Sequence, residues 1–483
     1  MRVLRFAVRP TLVLKYFGQL CIALAVLTLI PFGVSLLFAE FGVSLRYLVV
    51  LGCLFLMGFG LKRIKASKRV QTNEAMVVTA LIFVFSPLVM TWPVMASGMG
   101  FLDAFFETVS AVTTTGLSTA DNLGDKPGTF LFARAWTQWV GGLGIVVLSI
   151  AAMMQPGLAA KRLDISEDYE NDLIGSTRAN ARRVFVVYAI LTVLSVIALI
   201  LLRTQWFDAI LYSLAAVSTG GFSPNDASLQ GLGNHYAQAV VILASMAGGI
   251  SLALYHRAYR DGWRVAVRDP QLRTFVAAAV LTALLMAWFL WYQDGLHWTA
   301  ALGHGALNAL SAQSTAGFAS MDIKDIGDGA KVTLIFAMAA GGSLGSTAGG
   351  VKIMRLLIVF RLMYLVIQRA GAPSNAVSEA RLGGHRIEAD EIQSALCIIV
   401  VFMVLIALSW LPFLALGHAP LDSLFEVVSA LGTAGISAGV TTADLHPLLK
   451  GVLCADMLLG RLEIIAWLVF LYPGTWIGKR REA

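Results

Sequence analysis

Of the 483 residues, 58% are hydrophobic and 13% charged, and the mean hydropathy is +0.76. One water-soluble core cannot hide that much apolar surface, so the composition describes an integral membrane protein. The net charge of +7 does not mark a nucleic-acid binder, because the 36 Lys and Arg fall in short runs between apolar segments, which is how membrane topology is written.

Apolar spans of about 20 residues place two opening helices near 12–38 and 45–61, stopped by the basic run from Lys62 to Arg69. The N-terminal apolar run is too long for a cleaved signal and is expected to be retained. A spanning helix near 75–95 follows, then a short helix and loop at 103–118 and a second spanning helix near 130–153. The same order returns at 183–203, 208–222 and 236–256, at 275–293, 303–318 and 330–366, and at 392–416, 422–436 and 447–472. The expected divisions are therefore residues 1–70 for the opening pair and 71–160, 161–262, 263–375 and 376–483 for four repeated modules. Cys21, Cys53, Cys397 and Cys454 lie inside apolar segments without CxxC spacing, so they indicate neither a disulfide framework nor a metal knuckle.

Every short helix runs into a Thr-x-Gly triplet: Thr114-Thr115-Gly116, Thr219-Gly220-Gly221, Thr315-Ala316-Gly317 and Thr433-Ala434-Gly435. Thirteen residues before the last glycine stands Asp103, Asp208 or Asp422, with His304 in the third copy; the aspartates are expected to cap their own helices. One Thr-x-Gly is common, and small residues in membrane helices mostly serve close packing. Four copies in register, each between two spanning helices, instead suggest re-entrant loops. Of the 36 Lys and Arg, 29 fall on the side holding both termini and 7 on the other, so the termini are expected in the cytoplasm and the loops enter from outside.

Irregular backbone at membrane depth survives only where protein buries it or water reaches it, so the four loops are expected to ring one aqueous axis. A ring of backbone carbonyls can replace the hydration shell of a monovalent cation. Glycine lets the carbonyls turn inward without an intruding side chain, threonine offers a hydroxyl that can face the ion, and each short helix aims its negative end at the axis. No carboxylate lies within the loops, which argues against a divalent site.

The final helix of the third module contains Gly341, Gly342, Gly345, Ser346, Thr347, Gly349 and Gly350 within ten residues. Five glycines at up to about 1 kcal/mol each do not continue a helix, so it should open there. Lys352 follows Gly-Gly-Val without Walker spacing or a preceding strand, which sets a phosphate loop aside. In the fourth module Arg461 and Glu463 place charge inside an apolar helix, where a cavity or a partner must receive it.

With its four triplets and two extra N-terminal helices, the chain resembles the Trk/Ktr/HKT superfamily of potassium transporters, specifically the bacterial TrkH-type membrane subunits. The resemblance implies an all-α membrane protein of four covalently linked helix–pore loop–helix modules in pseudo-fourfold arrangement, the twelve triplet residues acting as a selectivity filter mainly through backbone carbonyls. It also implies K+ as the transported and filter-bound ion with no organic cofactor in this chain. Residues 341–350 would form an intramembrane gate with Arg461 facing the pore below the filter. A homodimer in the bacterial inner membrane and a cytosolic TrkA-type nucleotide-binding ring are implied as well. Departures are His304 and the varied second triplet residue. The alternatives are a sodium-conducting or sodium/proton-coupled transporter of the same architecture and, more distantly, a polytopic membrane enzyme, for which the scattered histidines and the lack of an HExxH or acid cluster offer little.

Overall fold

The structure, a computed structural model, describes residues 7–66, 70–153, 168–371, 380–383, 385–462 and 464–477. The opening pair is α1 (Pro10–Leu37) and α2 (Phe41–Lys62). The first module is α3 (Thr72–Val94), α4 (Phe101–Val112) and α5 (Gly128–Met153). In the second, α6 (Asp168–Leu201) and α7 (Trp206–Val217) precede α8 (His235–Gly249), α9 (Leu252–Asp261) and α10 (Trp263–Arg268). The third holds α11 (Pro270–Tyr292), α12 (Trp298–Gln313), α13 (Asp328–Ala340) and α14 (Ile353–Ala370). The fourth holds α15 (Ala389–Ala415), α16 (Pro420–Leu431), α17 (Pro447–Arg461), α18 (Ile465–Leu471) and α19 (Pro473–Trp476). The small β-hairpin pairs Arg381 with Arg386 and Leu382 with His385.

Among the described residues six helices are long and apolar enough to cross a membrane: α1, α2, α3, the part of α6 from Ala181, α11 and α15. They are apolar all round, and their outward faces expose Leu, Val, Ile and Phe, such as Leu56 and Leu194, as lipid-facing helices do. The short helices α4, α7, α12 and α16 lie at the centre; the last two turns of α4, α7 and α16 are buried throughout, and those of α12 are buried except for the half-buried Leu307 and Leu310. Side chains around α12, α13, α16 and α17 form the largest apolar cluster, which also takes in Phe106 and Val109 of α4. The four-module, pseudo-fourfold architecture with an added N-terminal pair is thus present.

The opening pair is bound to the first module by polar contacts. Arg9 donates from Nε to Glu74 Oε1 (2.8 Å) and from Nη2 to Oε2 (3.0 Å), and Trp136 Nε1 donates to the Leu27 carbonyl (3.0 Å).

Two expected spans are broken where the sequence reads as continuous. The span at 236–256 bends by 84° between α8 and α9, and the span at 447–472 breaks after Arg461, with Ile464 at φ 62°. The third module breaks at its glycine run, as the cost of helical glycine requires, whereas α5 continues to Met153. Glu463 lies outside the described residues.

Candidate functional site: a ring of four Thr-x-Gly turns

Each short helix ends in the same Schellman turn. The Thr114 N–H returns to the Ala111 carbonyl (3.1 Å) and the Thr115 N–H to Ser110 (2.9 Å). Thr219 and Gly220 return in the same way to Ala216 and Ala215, Thr315 and Ala316 to Ala312 and Ser311, and Thr433 and Ala434 to Ala430 and Ser429. The left-handed position, usually glycine, is threonine in all four, at φ 51°, 52°, 52° and 48°. A β-branched residue there is strained by about 1–3 kcal/mol and persists only where its surroundings over-determine it. All four threonines are buried.

The triplets close on one another in chain order. A Cβ added to Gly116 would lie 2.2 Å from the Gly220 carbonyl oxygen, one on Gly221 2.3 Å from Ala316 O, and one on Gly317 2.6 Å from Ala434 O. The cycle returns to its start at Gly435, whose added Cβ would lie 1.8 Å from Thr115 O. The middle carbonyl of each triplet therefore occupies the space a side chain would need on the preceding glycine. The four triplets thus close into one cycle of backbone contacts. Gly220 is the second-position exception for a local reason: Gln138 fills its Cβ position, giving its amide to Gly220 O and accepting from the Phe222 N–H (3.2 Å).

The threonine hydroxyls do not act alike. Thr219 Oγ1 donates to its neighbour Ser218 O (2.7 Å), and Thr315 Oγ1 accepts from Gly349 N (2.7 Å). Thr114 and Thr433 Oγ1 are buried without a hydrogen-bond partner.

Nine residues before each last glycine, one side chain braces the backbone that leaves the ring. Glu107 Oε1 accepts from Ser118 Oγ (2.6 Å) and Thr119 N (2.8 Å), and Glu426 Oε1 accepts from Ser437 Oγ (2.5 Å) and Ala438 N (2.9 Å). Asn308 Oδ1 accepts from Ser320 N (2.8 Å), while the Tyr212 hydroxyl meets Ser223 Oγ (3.0 Å). Glu107 is further paired with buried Arg134 (2.9 Å), whose guanidinium stacks 3.9 Å from the Phe222 ring of the next module.

The aspartates are not caps. No side-chain cap bond forms at the start of α4, α7 or α16. Asp103 pairs instead with Lys450 (2.5 Å) and Asp422 with Lys331 (2.7 Å), each tying one module to its neighbour. A half-buried carboxylate gains more from a full positive charge than from the partial charge of a helix end. In the third copy His304 Nδ1 meets Ser320 Oγ (2.9 Å).

The glycine run is hydrogen-bonded to this ring. Gly349 donates to Thr315 Oγ1, and Gly350 N donates to the Gly432 carbonyl (3.0 Å). A Cβ on Gly349 would strike Thr433 Oγ1 at 2.1 Å and Gly432 O at 2.2 Å, so only glycine fits there. Thr347 Oγ1 donates to Gly248 O (2.9 Å) and lies 3.1 Å from Val217 O, and Gly341 O accepts from Gln313 Nε2 (2.7 Å). Ser346 Oγ closes a turn on Ser343 O (2.6 Å), Gly345 O accepts from Leu252 N (3.1 Å) and Gly342 O from Ile353 N (3.0 Å). Arg461, buried at the end of α17, donates from Nη1 to Thr347 O (2.7 Å) and from Nη2 to Gly141 O (3.5 Å). The ring, the loop and Arg461 thus form one connected assembly.

Residues 58–473 match the family model TrkH, described as "Cation transport protein". The chain belongs to the TrkH cation transport family. It is therefore a multi-pass membrane transport protein and not an enzyme. An uncharacterized cation transporter of Methanocaldococcus jannaschii is 29% identical over 95% of this chain and 94% of its own length. The Trk system potassium uptake protein TrkH of Halomonas elongata is 28% identical over 96% and 99%, and that of Escherichia coli K12 is 29% identical over 83% of each chain. The crystal structure of the potassium transporter TrkH from Vibrio parahaemolyticus shares the fold, with a TM-score of 0.87, 24% identity, and coverage of 97% of this chain and 100% of that one.

Three charged groups of this TrkH-family chain escape a sequence reading. The ammonium of Lys352 (φ 79°) is buried beneath the ring and donates to the Ala348 carbonyl. Arg134 hides in an apolar helix whose glycines draw the eye. Asp456 is buried in α17, accepting from Ser409 Oγ (2.6 Å), its Oδ2 without a hydrogen-bond partner. Charge at membrane depth was the available signal.

Proposed function

We propose that this chain carries potassium across the bacterial inner membrane through the ring of Thr114–Gly116, Thr219–Gly221, Thr315–Gly317 and Thr433–Gly435. The observation that carries the proposal is the closed cycle in which each last glycine makes room for the next triplet's carbonyl. Such a ring presents backbone oxygens and no carboxylate, the ligand set suited to a weakly hydrated monovalent cation. The potassium uptake named for the Escherichia coli and Halomonas relatives supports the same ion.

Residues 341–350 serve as the gate. The hydrogen bonds from their backbone to Thr315 Oγ1 and the Gly432 carbonyl support this reading, since they hold the loop against the triplets that the ion would leave. Arg461 and Lys352 add positive charge there, which opposes a cation leaving the ring. Residues 71–160, 161–262, 263–375 and 376–483 act as the four pore modules, with both termini in the cytoplasm. The membrane subunit works as a homodimer with a cytosolic TrkA-type nucleotide-binding ring, and K+ needs no organic cofactor in this chain.

The test is thallium entry into liposomes holding the purified chain, followed by quenching of an entrapped dye. Deleting part of 341–350 should raise entry several-fold while the protein stays folded and monodisperse. Unchanged entry in a folded deletion contradicts the gate.

Asp456 favours a second reading, transport coupled to protons, because it is a buried titratable group in the helix that carries Arg461. If coupling runs through it, Asp456→Asn abolishes the effect of an imposed proton gradient on potassium uptake. An unchanged gradient effect removes this reading.

A further inference from the structure

The segment after the bend in the second module carries chemistry that the pore does not use. From Ser251 to Arg273 there are five arginines against two aspartates, a net charge of +3. Arg257, Arg260, Arg264 and Arg268 are exposed, and beside them Tyr259 is 90% and Trp263 69% exposed. Arg260 is forked onto Asp261 and Arg257 lies 3.9 Å from Asp269, which leaves Arg264, Arg268 and Arg273, the last exposed with its Nε on the Val267 carbonyl, to dominate the surface charge.

The neighbouring elements fix the level of this segment. Helix α11 has 23 residues, about 34 Å at 1.5 Å per residue, enough to cross a hydrocarbon core of about 30 Å. Gln271, its second residue, therefore marks the membrane edge. Leu344 N donates to Gln271 Oε1 (3.0 Å), and Leu252 N, the first of α9, donates to Gly345 O (3.1 Å). Helix α9 starts at that edge and is turned 84° from α8, so it runs along the surface. Arginines with exposed tryptophan and tyrosine at headgroup level are the composition of an interfacial helix on an anionic leaflet. An acidic soluble partner would be served by the arginines alone and gives no account of the bare aromatic rings.

We propose that α9 and α10 bind anionic phospholipid headgroups, and that this contact steadies the intramembrane loop in the position seen here. The link is short: α9 follows α8 directly in the chain, and both are hydrogen-bonded to the loop backbone. Gly248 and Gly249, the last residues of α8, accept the N–H groups of Thr347 (3.1 Å) and Ser343 (3.0 Å), and Leu252 holds Gly345. A headgroup that fixes α9 in the interface fixes the backbone holding the loop under the ring. The steadying effect rests on the gate proposed above; the lipid contact does not.

The experiment places the full-length chain in vesicles of phosphatidylcholine alone or with phosphatidylglycerol. It compares wild type, the R257Q/R260Q/R264Q/R268Q variant and the same four positions changed to lysine. Headgroup contact is read as quenching of Trp263 by brominated lipid, taken as the difference between wild type and Trp263→Phe, and gating is read as thallium flux. Each arginine near an anionic surface contributes roughly fivefold to partitioning. Brominated phosphatidylglycerol should therefore quench well above brominated phosphatidylcholine in wild type and the lysine variant, and equally in the glutamine variant. Wild-type flux should be several-fold lower in phosphatidylglycerol, and the glutamine variant should not distinguish the lipids. Equal quenching by both lipids overturns the headgroup site. So does an equal effect of soluble glycerol phosphate in phosphatidylcholine vesicles, or lipid-independent capture of an acidic protein by the same arginines. Selective quenching with composition-independent flux overturns the steadying effect, and the loop deletion tells whether the gate itself has failed.

Discussion

At the scale of single residues, the four last glycines are fixed by their neighbours' backbone more than by their own conformation. All four have positive φ, from 80° to 95°, but the deciding contact is steric. At Gly435 an added methyl would sit 1.8 Å from a carbonyl oxygen that has its own place in the ring. Gly435→Ala is expected to cost about 1–3 kcal/mol as overpacking and to cut potassium flux at least about tenfold, read by thermal unfolding and proteoliposome flux. Gly451→Ala is the control, because its Cβ position on α17 has nothing within 4 Å. It should leave flux unchanged and stability equal or up to about 1 kcal/mol higher. Equal effects at the two positions contradict the ring geometry. The Thr-x-Gly residues were legible because the same types recur in register. Their braces were not, because Glu107, Tyr212, Asn308 and Glu426 share a position and a task but, apart from the two glutamates, no side-chain chemistry.

At the scale of elements, the second helix of a module carries the variation. Gly141, Gly248 and Gly460 each let it pass close to the end of its own short helix, where a Cβ would lie 2.1, 2.4 and 1.9 Å from the carbonyls of Val112, Val217 and Leu431. Close packing and the pore are therefore complementary uses of glycine here. Beyond that crossing the helix continues in the first module, bends in the second, opens into the loop in the third and breaks after Arg461 in the fourth. Only the third break was legible, since five glycines make a helix costly by local propensity alone, while the bend at Ile250 and Ser251 and the turn at Ile464 lie in stretches with no comparable run of glycine. Arg461 joins two of these breaks through its bond to Thr347 O. Arg461→Ala removes that bond and a positive charge below the ring, so thallium flux should rise several-fold; a fall in a normally folded variant contradicts its place in the gate.

At the scale of the molecule, four units of unequal length build one ring because their contacts run between modules. Lys331 reaches Asp422, Lys450 reaches Asp103, and Arg134 reaches the Phe222 ring. Hydropathy and the internal repeat were enough to show the membrane class and the fourfold order, since both are set by the lipid as solvent. The lysine partners of Asp103 and Asp422 were not legible, because they stand 347 and 91 residues away along the chain, where no local pattern reaches. In the proposed function the cycle of glycines and carbonyls selects the ion. The measurement is flux of potassium, rubidium, sodium and lithium through the chain alone in proteoliposomes, with Gly116→Ser in parallel. Potassium and rubidium should pass well ahead of sodium and lithium, and the substitution should erase that order. Four equal fluxes, indifferent to the serine, would contradict a selective ring and leave the triplets as packing alone.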